Sequence, residues 1–69
     1  MVKIKRENIR IEKIGKELEI GKTYKIDLST QTYKGKYEGH TKDDIVMLHG
    51  FLHLFIFLSD IRDVELIGD

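Results

Sequence analysis

The sequence predicts a mainly β fold, a small five-stranded barrel preceded by a short N-terminal helix or arm. Three observations carry this. Apolar and polar residues alternate through residues 22–28 and again through 33–40, the period-2 pattern of half-buried strands. Gly35 and Gly39 share the parity of Tyr33 and Tyr37, and a glycine inside a strand marks a bend, a bulge or a close backbone approach, which a small closed sheet requires. Short polar stretches at 29–32, 41–44 and 49–50 separate the runs, as turns between adjacent strands do.

Residues 1–21 read two ways. Ile4, Ile11, Ile14 and Leu18 fall on helical spacing, whereas Ile9 and Ile11, then Leu18 and Ile20, alternate as in a strand. Gly15 and Gly21 interrupt any long helix. The expectation is a short helix or extended arm over 2–14 and a brief strand at 17–20, with the barrel at 22–67 and all 69 residues in one domain. In the first barrel strand Tyr24, Ile26 and Leu28 share one face, and Lys25 and Asp27 the other. In the second, Lys34, Lys36 and Glu38 oppose the tyrosines and glycines. Asp43 and Asp44 supply a turn, since Asp side chains bond to nearby backbone amides.

The pattern then changes. Residues 45–48 and 54–58 are apolar at both parities, and a strand apolar on both faces must be covered on both. A chain of this length has one core and no helical layer to cover the outside, so the excess apolar surface predicts contact with another chain. Residues 59–62 read as a single 3₁₀ turn. Residues 63–67 form the last strand, with Val64 and either Leu66 or Ile67 inward. Five short strands joined by short turns suit a small barrel of the SH3-like or OB-like kind.

Composition bounds the function classes. A domain this small buries only about 60% of the surface its unfolded chain exposes, and such domains are usually supplemented by disulfides, metals or oligomerisation. The chain has no cysteine, which removes disulfides and thiolate zinc sites and favours oligomerisation. Lys+Arg and Asp+Glu balance at 12 each, so the global basicity of many nucleic-acid binders is missing, although a local basic patch is compatible with neutrality. No apolar stretch approaches the ~18 residues of a membrane span, and residues 1–10 are too charged for a signal peptide. A cytoplasmic protein without membrane association is the expectation.

One stretch has a specific look. Gly35-Lys36-Tyr37-Glu38-Gly39-His40-Thr41-Lys42-Asp43-Asp44-Ile45-Val46-Met47-Leu48 resembles the first Sm motif, G-x-hydrophobic-x-G-aromatic-D followed by an apolar strand. Residues 55–66 look like the second motif, an apolar strand, a tight turn, Ile and a final strand. The resemblance, to the Sm-like and Hfq-like family, covers residues 22–67, with an arm where that family carries a helix. It implies an SH3-like (Sm-like) barrel, a homo-oligomeric ring of six or seven subunits that pair edge strands, and RNA bound around the pore. The interface residues it implies are Phe55, Phe57, Val64 and Leu66. The chain departs from the family where RNA is contacted. Thr41 stands in place of the motif Asp, Asp43, Asp44 and Ile45 lie near the uridine-stacking and Asn positions, and Phe57-Leu58-Ser59-Asp60 replaces Arg-Gly or Lys-His.

The candidate RNA contacts are Lys34, Lys36, Tyr37, His40 and Lys42, with Lys3, Lys5, Arg6 and Arg10 of the arm as further phosphate contacts. The blander reading makes the tyrosines core residues and the lysines a solvated face. The alternative function is an SH3-like protein-interaction module that binds by strand addition rather than through RNA. His49 and His53 are spaced four apart, which suits a metal on one helix face, but Gly50 between them argues for a turn. No metal or cofactor is expected. Nucleophile, phosphate-loop and paired-carboxylate signatures are missing from the sequence, so no enzymatic activity is expected.

Overall fold

The computed structural model describes residues 3–50 and 52–68. The start of the expected arm at Val2, and Phe51 in the segment leading to the apolar run 54–58, lie outside the described residues. Among the described residues the chain is mainly β, with seven strands in two antiparallel sheets, two single-turn 3₁₀ helices and no α-helix. The strands are β1 (Ile9–Ile11), β2 (Lys16–Leu18), β3 (Thr23–Asp27), β4 (Thr32–His40), β5 (Ile45–His49), β6 (His53–Phe57) and β7 (Asp63–Gly68).

Strands β3 to β6 form a meander, and β7 returns beside its first strand to give the order β6-β5-β4-β3-β7. The inward residues are those that alternation selects. Tyr24 and Ile26 of β3, Tyr37 of β4, Val46 and Leu48 of β5, Ile56 of β6 and Val64 of β7 are all buried in one cluster with Ile61. The 3₁₀ turn at Leu58–Asp60 turns the chain from β6 to β7, and Arg62 N–H donating to the Asp27 carbonyl at 2.8 Å helps hold that turn against the end of β3.

The N-terminal segment departs from the helical alternative. Residues 9–18 form a β-hairpin in which Ile9 faces Leu18 and Ile11 faces Lys16. A 3₁₀ turn at Glu12–Ile14 and Gly15 at φ 65° reverse the chain. Gly15 adopts the left-handed conformation at little cost because it has no Cβ, whereas no side chain caps the 3₁₀ turn. The hairpin belongs to the core, because Ile11 is 1% and Leu18 0% exposed. Burying a side chain of that size contributes about 1.5–3 kcal/mol.

Residues 3–8 form an extended strap across the end of β4. Lys5 and His40 exchange backbone hydrogen bonds at 2.7 and 3.0 Å. The Tyr37 hydroxyl donates to the Glu7 carbonyl at 2.8 Å, and Asn8 Oδ1 accepts from Ile20 N–H at 2.9 Å. The register of β4 on β5 shifts between Tyr37 and Gly39, a bulge that leaves Glu38 as the extra residue. Gly39 sits at φ 146°, and a Cβ there would lie 2.5 Å from the Lys5 carbonyl oxygen. Both strand glycines are explained by close approach as well as by bending, since a Cβ on Gly35 would meet Leu48 Cβ at 3.0 Å. Gly35 faces inward opposite Tyr24, whereas the bulge sets Gly39 opposite Met47 on the other face, against the parity that simple alternation predicts.

Candidate nucleic-acid interface

The β3–β4 pairing sets the charge pattern of the sheet's outer face. Lys25 stands directly opposite Lys34, and Thr23 opposite Lys36. Directly opposed residues of an antiparallel pair point to the same face, so Lys25, Lys34 and Lys36 are gathered on one side of the sheet. Among the described residues none of the three forms an ion pair; the recorded pairs belong to Arg6, Arg10, Lys16, Lys22, His40 and His49. Like charges set opposite each other destabilise a ladder, and a bound polyanion removes that repulsion.

The five residues expected to contact RNA are therefore divided among three places. Lys34 and Lys36 are exposed on this face. Lys42 is exposed in the β4–β5 turn, at the other end of β4, beside Asp43 and Asp44. Tyr37 is 0% and His40 8% exposed, so neither presents a ring for stacking. Burial pushes the Tyr37 phenol well above its usual range, with the Glu7 carboxylate adding to the effect, and the neutral hydroxyl serves as a donor to the strap. The Nδ1 of His40 lies 3.0 Å from the Thr41 carbonyl oxygen and Nε2 lies 3.3 Å from Glu7 Oε1. Tyr37 and His40 are thus corrected from candidate contacts to structural residues. Sequence alternation had put Tyr37 on the inner face; the bulge at Glu38 is what turns His40 inward as well.

Thr41, where the resemblance expects Asp, is 4% exposed. Its Oγ1 accepts from the amides of Asp43 and Ile45, each at 3.2 Å. A threonine hydroxyl can hold a turn as an Asp carboxylate does, more weakly. Asp44, at φ 60°, completes the reversal, so Asp43 and Asp44 form a turn in which both are exposed.

The interface residues implied by the resemblance also separate. Phe55 and Phe57 are each 56% exposed on β6, and Leu66 is 51% exposed on β7. Val64 is 3% exposed and belongs to the core, which corrects its assignment to the interface. Ile67 (44% exposed) and Leu52 are additional exposed apolar residues. The doubly apolar pattern of β5 and β6 becomes a stripe, because Phe57 pairs with Ile45 and Phe55 with Met47 on the face opposite the core. Since β6 and β7 are the outermost strands, the exposed Phe55 and Phe57 lie at one border of the sheet and Leu66 and Ile67 at the other.

Near β7, Lys16 Nζ donates to Asp63 Oδ1 and to the Val64 carbonyl, both at 2.8 Å. The Lys16 hydrogen bond holds the Asp63 carboxyl below the usual range, assisted by the Val64 amide and by the charge of Lys25. A groove of about 380 Å³ opens between the first 3₁₀ turn, the β4–β5 turn and the end of β6, lined by Arg10, Lys13, Asp43, Asp44, Phe57 and Leu58 among others. Among the described residues no group of three or more His, Asp or Glu side chains is arranged to hold a metal ion. No helix among them is long and apolar enough to cross a membrane.

The sequence reading missed Lys25 as a partner of Lys34, because its signal lies in the register of two strands and not in either strand alone. It also left His49 and His53 apart, although the hairpin brings them together. No family model matches the chain, and neither a curated protein nor a solved structure does.

Proposed function

We propose that this chain is an RNA-binding subunit of a homo-oligomeric ring built on an SH3-like, Sm-like barrel. The observation that carries the RNA reading is the lysine group of Lys25, Lys34 and Lys36 on one outer face. Among the described residues Lys34 and Lys36 form no ion pair, and Lys25 has Glu65 of β7 directly opposite it. It offers phosphate neutralisation without base readout, so binding is sequence-tolerant and falls steeply with salt. The barrel reading is supported by the four-strand meander with its bulged glycine strand and by the 3₁₀ turn that leads β7 back beside β3. The ring reading is supported by the two exposed apolar borders, since patches of this kind mark interaction surfaces and unpaired strand edges are templates for pairing with another chain.

A second reading, a protein-interaction module working by strand addition, is favoured by the exposed Asp43 and Asp44 turn, which repels phosphate where the resemblance expects an RNA contact. One titration separates the two. Short single-stranded RNA should bind with an affinity that falls linearly in log–log form as salt rises. Lys34→Glu and Lys36→Glu should each weaken binding and lower the salt slope by about one. Absence of binding at about 50 mM salt, a concentration at which phosphate contacts are strong, with the oligomer intact, would favour the protein-interaction module.

A further inference from the structure

The hairpin between β5 and β6 creates a constellation that spacing alone did not reveal. His49 and His53 are the closing pair of this ladder, directly opposite each other, so both side chains leave the same face of the sheet. Their ring centroids are 4.4 Å apart and the planes are tilted by 50°. Two nitrogens bound to one tetrahedral ion at about 2.0–2.1 Å stand roughly 3.3 Å apart. Tilted rings at this separation can turn their free nitrogens toward such a point without moving the strands.

Two further features set this pair apart. His49 Nδ1 lies 3.5 Å from Glu38 Oε1, and the other oxygen of that carboxylate is held by Arg6 at 3.3 Å. A carboxylate on this side of the ring favours a proton on Nδ1 and leaves the other nitrogen as a ligand, the arrangement found around metal-bound imidazoles. Glu38 is available for this because it is the bulge residue of β4. His40 differs, since it is buried and both its ring nitrogens already face protein acceptors. His49 and His53 are exposed and accessible from solvent.

We propose that His49 and His53 form a two-imidazole chelate for a late first-row divalent cation, with Glu38 as the positioning residue for His49 and water completing the coordination. Imidazole selects zinc, nickel and copper over magnesium and calcium, so the site is one for a borderline cation. The site does not depend on the RNA reading, and Lys36 of the lysine group stands directly opposite His49 on the same face.

The test is a titration of metal-free protein with zinc at pH 7.5, followed by calorimetry and by the imidazole NMR signals, with magnesium as the control. One equivalent should bind, shifting the signals of His49 and His53 and leaving those of His40 in place. His49→Gln and His53→Gln, both exposed changes, should each abolish saturable binding. Glu38→Gln should weaken it about tenfold, the low end for an outer-sphere partner. Three outcomes would overturn the proposal: no saturation below about 1 mM, an affinity too weak for a chelate; equal binding of magnesium; or undiminished zinc binding in the His49→Gln/His53→Gln double variant, which means an adventitious ion only.

Discussion

Gly39 shows how much one position holds. Its backbone lies at φ 146°, and the space a side chain would fill is taken by the Lys5 carbonyl and Ile4 Cγ2, at 2.5 and 2.8 Å from an ideal Cβ. Gly39→Ala therefore meets both backbone strain and a clash with the strap. It should cost about 1–3 kcal/mol from strain and more as the strap is displaced. A lower urea midpoint, with faster hydrogen exchange at the Lys5 and His40 amides, is the measurable result; unchanged exchange there would show that the strap does not depend on this glycine. A special backbone position at Gly39 was legible in the sequence, but its face was not, because the bulge sets Gly39 opposite Met47 on the outer side. The identity of its neighbour was not, because the strap reaches it from residues that carry no strand pattern. Tyr37 and His40 teach the related lesson that a ring in a lysine-bearing strand is read as a binding residue or a core residue only once the facing strand is known.

The β1–β2 hairpin is the element the sequence left undecided. Ile11 and Leu18 are seven residues apart, which is two turns of a helix and also the reach between the two arms of this tight hairpin. Hydrophobic spacing satisfies both, and Gly15 in its left-handed conformation selects the second. The hairpin matters energetically, because the sheet by itself leaves part of its inner face uncovered. Leu18→Ala should cost about 2–5 kcal/mol against a total of roughly 3–10 kcal/mol for a chain of this length. Denaturant unfolding should show a large fall in midpoint and, at the upper end of that range, a population already unfolded without denaturant. The strands of the meander were legible nearly to their ends, since each has one wet and one dry face or a polar turn beside it.

At the scale of the molecule, the sheet is asymmetric. One border exposes Phe55 and Phe57 and the other Leu66 and Ile67, so in the proposed assembly pairing of one border with the other is head-to-tail, which yields rings or open filaments depending on closure. Phe55→Asp/Phe57→Asp should give a monomer by light scattering with the core intact, and Leu66→Asp/Ile67→Asp should do the same from the other border. Mixing the two variants leaves one competent border on each and should produce a dimer and nothing larger. A mixture that stays monomeric would remove these borders from assembly. Apolar surface in excess of the core was legible in the doubly apolar runs; which residues stay outside was not, as the burial of Val64 shows.

The place of β7 has a consequence for how the chain matures during synthesis. Its partner β3 leaves the ribosome some forty residues earlier, as the pairing of Asp27 with Asp63 and of Tyr24 with Leu66 requires. The hairpin waits for the same strand, because Lys16 is bonded to Asp63 and Val64. Until residues 63–68 clear the exit tunnel, β3 has one bare edge and the inner face lacks Val64. Closing contacts so distant in sequence is slow, and incomplete sheets with open edges are prone to aggregate. The strand at Asp63–Gly68 is thus the one that ends the vulnerable stage of this sheet.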